Sequence, residues 1–156
     1  MDRFTISLGP DLANDFDALI RLKGYANRSE AVRDLIRQAL ESSRQSSGKS
    51  KHAVAVVSYV YNHHEKTMAE RITNTHHDHH DLVVSSTHVH LDHDNCLEAV
   101  FLKGKTEQVT QFANHLTAMA GVRHGSTNLI SAEIQTRKHS HGFHGAHMHY
   151  HLIPKN

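Results

Sequence analysis

Two histidines and one cysteine stand at a spacing that could hold a metal ion. His88 and His90 are separated by one residue, and Cys96, the only cysteine of the chain, follows six residues later. Side chains two apart on a β-strand point to the same face, so a strand here would present both imidazoles together. A thiolate from the next strand would add a third ligand, and these donors suit nickel, copper or zinc. Because seven histidines lie between residues 76 and 93, we interpret the region as metal-binding rather than as ordinary surface.

The composition limits the class of protein. The chain has 156 residues, 18 histidines, one cysteine and a formal net charge of +1. A single cysteine excludes an internal disulfide, and a free thiol fits the cytoplasm. The sequence shows neither a signal-peptide pattern nor a long apolar run, so we expect no membrane segment. The net charge favours no nucleic-acid partner, so any DNA contact has to be argued from pattern.

Residues 52–134 are expected to position the metal ligands in a ferredoxin-like domain. The predicted elements are a strand at 53–61, a helix from about Glu65, strands at 82–91 and 96–102, a helix around 109–116 and a strand from 122 to about 133. The turn-forming run 92–95 separates the middle pair of strands. This βαββαβ order predicts an α+β fold for the domain.

Residues 1–43 are expected to form a separate unit. Polar and apolar residues alternate over 3–8, which predicts a half-buried strand. Pro10 can open a first helix, and Ser29 is predicted to cap a second one. A strand and two helices of this length cannot bury a sufficient core, and one strand lacks a partner, so we expect an intertwined dimer. The polar run 44–51 is predicted to be a linker.

The polar face of the first strand could read DNA. Arg3, Thr5 and Ser7 share that face, and a two-stranded ribbon fits the major groove, where arginine can bind guanine bidentately. Asn27 and Arg28 stand at a helix N-terminus, which can hold a phosphate. The alternatives are a sheet face turned to water and a plain helix cap.

The C-terminal residues 135–156 are rich in histidine, glycine and serine. Six histidines follow one another with small residues between them: His139, His141, His144, His147, His149 and His151. Such a composition cannot form a core, so we predict a disordered tail that binds metal weakly. The alternative is a flexible terminus with no role.

Residues 1 to about 134 resemble the NikR family of nickel-responsive repressors. The matching residues are Arg3-x-Thr5-x-Ser7, Asn27-Arg28-Ser29-Glu30-Ala31-Val32-Arg33-Asp34, Ser58-Tyr59-Val60-Tyr61, the pair His88 and His90 with Cys96, and Gly121-Val122-Arg123-His124-Gly125. The resemblance implies a ribbon-helix-helix DNA-binding domain joined to an ACT-like regulatory domain. It also implies a homotetramer, a dimer of dimers, that binds the paired half-sites of a double-stranded DNA operator.

The same resemblance implies one Ni²⁺ per subunit, bound by His88, His90 and Cys96 of one subunit and by a helix histidine of its neighbour. That histidine lies eleven residues before His88 in the family, which is His77 here, while the adjacent His76 stays an alternative. Three nitrogens and one sulfur in a plane suit Ni(II), and also Cu(II).

A second cation is implied at the interface between the two domains. Glu30 and Asp34 are four residues apart on one helical face and match the family residues that hold it. The alternative is a solvated acidic face.

We therefore expect a nickel-dependent DNA-binding repressor of nickel-uptake genes. A histidine-rich metal-buffering protein or metallochaperone would explain the C-terminal histidines but not the N-terminal ribbon. An ACT regulator that binds an amino acid would explain the fold but not the two histidines and the cysteine. We do not expect an enzyme, because no open coordination position stands beside a candidate general base.

Overall fold

The computed structural model describes residues 5–48, 50–141 and 144–155, with the backbone alone at 137–141 and 144–149. The chain divides into two compact units, Met1–Ser42 and Ser43–Asn156. Within the described residues, no helix is both long enough and apolar enough to cross a membrane.

The first unit contains two helices whose ends follow from local chemistry. Helix α1 covers Pro10–Lys23 and ends at Gly24, whose positive φ of 72° is a left-handed conformation that glycine adopts without strain. Helix α2 covers Arg28–Ser46. Its cap is Asn27, whose side-chain oxygen accepts a hydrogen bond of 2.9 Å from the Glu30 N–H. The prediction that Ser29 caps this helix was therefore wrong, because an amide two residues earlier already satisfies the exposed N–H group.

Helix α2 also extends further than expected. The predicted linker 44–51 is wrong in its first part, because residues 44–46 continue the helix and a turn follows at 47–48. A polar run without glycine gives the helix no reason to stop, and the first glycine after it is Gly48, with a φ of 60°.

The apolar side chains of the first unit are left uncovered in a single chain. Helix α1 buries none of its residues, and α2 buries only Ala31. Leu22 is 83% exposed, and Leu12, Leu35, Ile36 and Leu40 are exposed as well. The described residues 5–9 form no strand, while Arg3 and Phe4, which the predicted strand includes, lie outside the described residues. The described residues of this unit form no core of their own.

The second unit has the predicted βαββαβ order, followed by one more strand. Its elements are β1 (His52–Asn62), α3 (Lys66–Asp78), β2 (Val83–His90), β3 (Asn95–Lys105), α4 (Thr106–Ala118), β4 (Arg123–His141) and β5 (His144–Pro154). They form an antiparallel sheet in the order β2-β3-β1-β4-β5. The α+β class and the ACT-like arrangement are confirmed.

One face of this sheet carries the hydrophobic core. Alternate residues of β1, from Ala53 to Tyr61, are buried on that face, where α3 contributes Met68 and α4 contributes Phe112. The opposite face stays open, with Phe101 40% and Ile130 45% exposed. The strands carry apolar side chains on both faces of the sheet. The second apolar face is therefore exposed to solvent in the single chain.

The prediction of a disordered tail at 135–156 is corrected by the structure. Residues 135–141 extend β4, and β5 pairs with them antiparallel, for example Gln135 with His151. Histidine alternates with Met148, Tyr150 and Leu152 in this segment, which is a period of two that suits a strand. Pairing to the edge of β4 satisfies backbone groups that a disordered tail would leave to water.

Candidate metal centre

The hairpin of β2 and β3 places the two spaced histidines beside the cysteine. His90 pairs with Cys96 in the register of the strands, and His88 pairs with Glu98. Because these positions alternate along each strand, the four side chains share one face of the sheet. Cys96 Sγ lies 3.2 Å from His90 Nδ1, and the rings of His88 and His90 are 5.5 Å apart. The hairpin thus gathers one thiol and two imidazoles.

The turn of this hairpin is fixed by its own hydrogen bonds. Asp92 Oδ1 accepts hydrogen bonds of 2.8 Å from the N–H groups of Asp94 and Asn95, and the Leu91 N–H donates to the Asn95 carbonyl at 2.8 Å. The amide of Asn95 and these backbone bonds lower the pKa of the Asp92 carboxyl. These hydrogen bonds hold the turn in place, which reduces the cost of ordering the ligands on binding.

The central strand adds a candidate ligand that the sequence did not predict. Tyr61 pairs with Cys96, and two residues later His63 Nδ1 lies 3.4 Å from Cys96 Sγ. The donor atoms of His63, His90 and Cys96 all lie within 4.8 Å of one another. The signal was the pair His63-His64, which directly follows the most apolar strand of the domain. Its closeness to Cys96 required the pairing of β1 with β3.

The thiol of Cys96 is buried, and its surroundings favour the protonated form. Burial raises its pKa, and the carboxylates of Glu98 and Asp92 raise it further. Burial and the neighbouring imidazoles of His64 and His90 lower the pKa of His63, which keeps that ring in the form that binds metal. A metal ion must therefore displace a proton from sulfur but not from this imidazole.

The separations of these donor atoms fit a transition metal. Metal–nitrogen and metal–sulfur bonds of about 2.05 and 2.3 Å put neighbouring nitrogen and sulfur about 3.1 Å apart in a planar site and about 3.6 Å apart in a tetrahedral one. The observed 3.2 and 3.4 Å lie between these values. Two imidazoles and a thiolate can hold such an ion with small adjustments.

Helix α3 presents its two adjacent histidines to different surroundings. His76 turns towards its own sheet, with Nε2 3.3 Å from the Tyr59 hydroxyl and Nδ1 3.9 Å from a Glu98 oxygen. Burial lowers the pKa of His76, with Glu98 acting in the opposite direction. His77 is exposed. Among the described residues, the cluster around Cys96 includes neither His77 nor His88.

The residues expected to hold a second cation have partners within the first unit. A Glu30 oxygen lies 3.9 Å from an Arg33 nitrogen. Asp34 accepts hydrogen bonds from the Tyr25 hydroxyl at 2.6 Å and from the Gln38 amide at 3.2 Å. Among the described residues, neither carboxylate belongs to a cluster of three or more potential metal ligands.

The residues expected to contact DNA are exposed or hold the helices together. Thr5 and Ser7 are exposed, and Arg3 lies outside the described residues. Arg28 donates two hydrogen bonds to Asp17, at 2.7 and 2.6 Å, which lower the pKa of that carboxyl. Because this pair is exposed, it contributes little to stability and a phosphate could replace the carboxylate.

The C-terminal histidines lie on strands, but most of their side chains are outside the described residues. His139, His141, His144, His147 and His149 are placed by their backbone in β4 and β5. The side chain of His151 is described and is partly buried. A metal site in this hairpin stays a prediction.

Comparison with known proteins agrees with this architecture. Residues 54–130 match the family described as the NikR C terminal nickel binding domain, and residues 2–43 match the ribbon-helix-helix protein, copG family. Nickel-responsive regulators of Brucella abortus biovar 1, Brucella suis biovar 1 and Brucella melitensis biotype 1 are each 48% identical over 130 residues, which is 83% of this chain and 98% of theirs. This chain belongs to the NikR family of nickel-responsive regulators.

Proposed function

We propose that this protein is a homotetrameric repressor of nickel-uptake genes that senses one Ni²⁺ per subunit. The family makes it a nickel-dependent, DNA-binding transcriptional regulator and not an enzyme. The observation that carries the proposal is the buried thiol of Cys96 with His90 Nδ1 3.2 Å away on an ordered hairpin. A lone reduced thiol of this kind suits a regulator that acts in the cytoplasm.

The proposed nickel ligands are His88, His90 and Cys96, with His77 supplied by a neighbouring subunit. The first three share a sheet face. His77 is favoured over His76 because His76 contacts Tyr59 and Glu98 of its own chain, whereas His77 is exposed on the same helix. Bound nickel would supply a four-coordinate link between two subunits. Within a single chain, the imidazole of His63 is a further nitrogen donor close to the sulfur of Cys96.

The uncovered apolar surfaces support an assembly of several copies. The first unit buries almost nothing by itself, so a second copy is needed to cover Leu12, Ile36 and Leu40. The open face of the sheet in the second unit carries Phe101 and Ile130 and needs a separate partner. Two different self-associating surfaces on one chain generate a dimer of dimers.

DNA recognition is assigned to the first unit. Pairing of two N-terminal segments would bring together Arg3, Thr5 and Ser7 from both copies, and a ribbon of that width enters the major groove. Asn27 and Arg28, at the start of α2, would contact phosphates beside it. Glu30 and Asp34 are proposed to bind a second cation. Two such dimers in one tetramer would require paired half-sites in the operator.

The switch follows from a metal site shared between subunits. Nickel binding would fix α3 of one subunit against β2 and β3 of another and thereby favour one arrangement of the DNA-binding dimers. Nickel must then bind that arrangement more tightly, and DNA must tighten nickel binding by the same factor.

A gel-shift titration with and without Ni²⁺ tests this function. The full-length protein is added to the promoter of a nickel-uptake operon from the same genome, at fixed salt. We expect a retarded complex that requires nickel, is lost in Cys96→Ser and is kept in His115→Ala, a matched change of an exposed histidine on α4, which carries none of the proposed ligands. Nickel binding without any DNA complex would contradict the repressor and favour the metal-buffering alternative.

A further inference from the structure

We propose that His64, His93 and Asp94 form a second site for a divalent transition metal, separate from the cluster around Cys96. One ligand atom from each residue lies within 4.8 Å of the others. All three side chains are exposed. His64 follows β1, whereas His93 and Asp94 belong to the turn between β2 and β3, so the site joins two loops at one edge of the domain.

One backbone hydrogen bond joins the two loops, and each loop is also fixed by a hydrogen bond of its own. The His63 N–H donates to the Asp94 carbonyl at 3.0 Å, and the His64 N–H donates to Asn62 Oδ1 at 2.9 Å. The Asp94 N–H is held in turn by Asp92. The ligand-bearing segments are therefore aligned in advance, and binding has to order only the side chains.

The donor set indicates which ions would bind. Two imidazoles and one carboxylate suit nickel, cobalt or zinc, whereas calcium and magnesium prefer oxygen ligands alone. The rings of His64 and His93 are 4.7 Å apart, so one ion can bridge them with the Asp94 carboxylate and keep water at its open positions. Without a thiolate and with all three ligands exposed, this outer site should bind more weakly than the cluster around Cys96.

The outer site adjoins the inner one without sharing its ligands. The ring of His63 lies 4.5 Å from that of His64 and 4.9 Å from that of His90. A row of adjacent imidazole rings therefore extends from the buried sulfur of Cys96 to the exposed turn. Because the inner site contains the thiolate, it should fill first and leave the outer site available to a second ion.

Paramagnetic Co²⁺ is the probe that tests the outer site. One molar equivalent of Ni²⁺ is added to the full-length protein, and Co²⁺ is then titrated while backbone amide signals are followed by NMR. Co²⁺ takes the same ligands as nickel but ranks below it in affinity, so it does not displace the first ion. We expect the amide signals of residues 63–65 and 92–95 to broaden at lower Co²⁺ than those of the histidine-rich hairpin, which lies at the opposite edge of the sheet.

Three variants decide the assignment. His93→Ala and His64→Ala should each raise the Co²⁺ concentration needed for this local broadening by about tenfold or more, and His115→Ala should leave it unchanged. The absorption of the nickel–thiolate bond reports the inner site separately and should persist in all three. Unchanged broadening in His93→Ala, or no broadening at these residues in the unmodified protein, would overturn the proposal whether or not nickel occupies the inner site.

Discussion

Nickel affinity should rise steeply with pH because Cys96 must lose a proton to bind. Burial and two nearby carboxylates raise the pKa of this thiol above its usual value. Below that pKa, binding releases one proton from sulfur, and the association constant then grows tenfold per pH unit, about 1.4 kcal/mol. The affinity gained on raising the pH is lost again as the pH falls.

The size of the effect depends on how far the thiol pKa is raised. Between pH 7.5 and 8.5, a thiol with a pKa well above 8.5 gives a rise of nearly tenfold, whereas an ordinary pKa of about 8.5 gives a rise of about fivefold. A reactive thiol with a pKa of about 7 would give only about 1.3-fold. Imidazoles with pKa values of about 6.5 are already neutral in this range and add little.

A competition titration measures this slope. Nickel is partitioned between the protein and a chelator of known pH dependence, and the association constant is determined at several pH values from 7.5 to 8.5. We expect a rise of more than about fivefold for the unmodified protein and almost none for Cys96→Ser, because serine does not ionise here. A flat profile for the unmodified protein would refute the assignment of Cys96 as a buried thiol ligand.

Three further changes test the shared metal site and the assembly. His77→Ala should weaken tight nickel binding at least about tenfold. His76→Ala should weaken it less, because His76 contacts Tyr59 and Glu98 of its own chain. Equal losses of nickel affinity in the same competition titration would contradict the choice of His77. Ile36→Asp should abolish operator binding by separating the paired DNA-binding units, whereas the control Arg37→Gln should keep it. Equal operator binding by the two variants in gel shifts would argue against an intertwined dimer. Phe101→Asp should reduce the mass of the proposed tetramer, as measured by light scattering, and an unchanged mass would show that this sheet face is not an interface.

The order of elements could be predicted because each has a clear local pattern. The run 53–61 is apolar enough for a central strand, and the stripe that contains Val109 and Phe112 marks α4; both elements are present, with bounds shifted by one to three residues. Helix α1 begins at Pro10 as expected. Hydrophobic periodicity and helix-ending residues depend only on positions close together in the sequence. They can therefore be recognised before the fold is known.

The parts that could not be predicted depend on contacts between distant segments. His63 approaches Cys96 only because β1 lies beside β3, and nothing local to residue 63 indicates this pairing. The strand β5 was not predicted, because a segment rich in glycine and histidine suggested disorder. The alternation of histidine with larger apolar residues, which is typical of a strand, was nevertheless present. The competition between Asn27 and Ser29 for the cap of α2 was decided by backbone geometry, since both residue types cap helices well.

The central claim is that nickel at Cys96 controls DNA binding, and one titration tests it most directly. Ni²⁺ is added to the full-length protein in the presence of a fluorescent operator, and the nickel–thiolate absorption and the operator anisotropy are recorded in the same sample. We predict that both signals rise together and saturate near one nickel per chain, and that both are absent in Cys96→Ser. Full operator binding before any nickel is added, or a complete anisotropy change without the thiolate absorption, would contradict it.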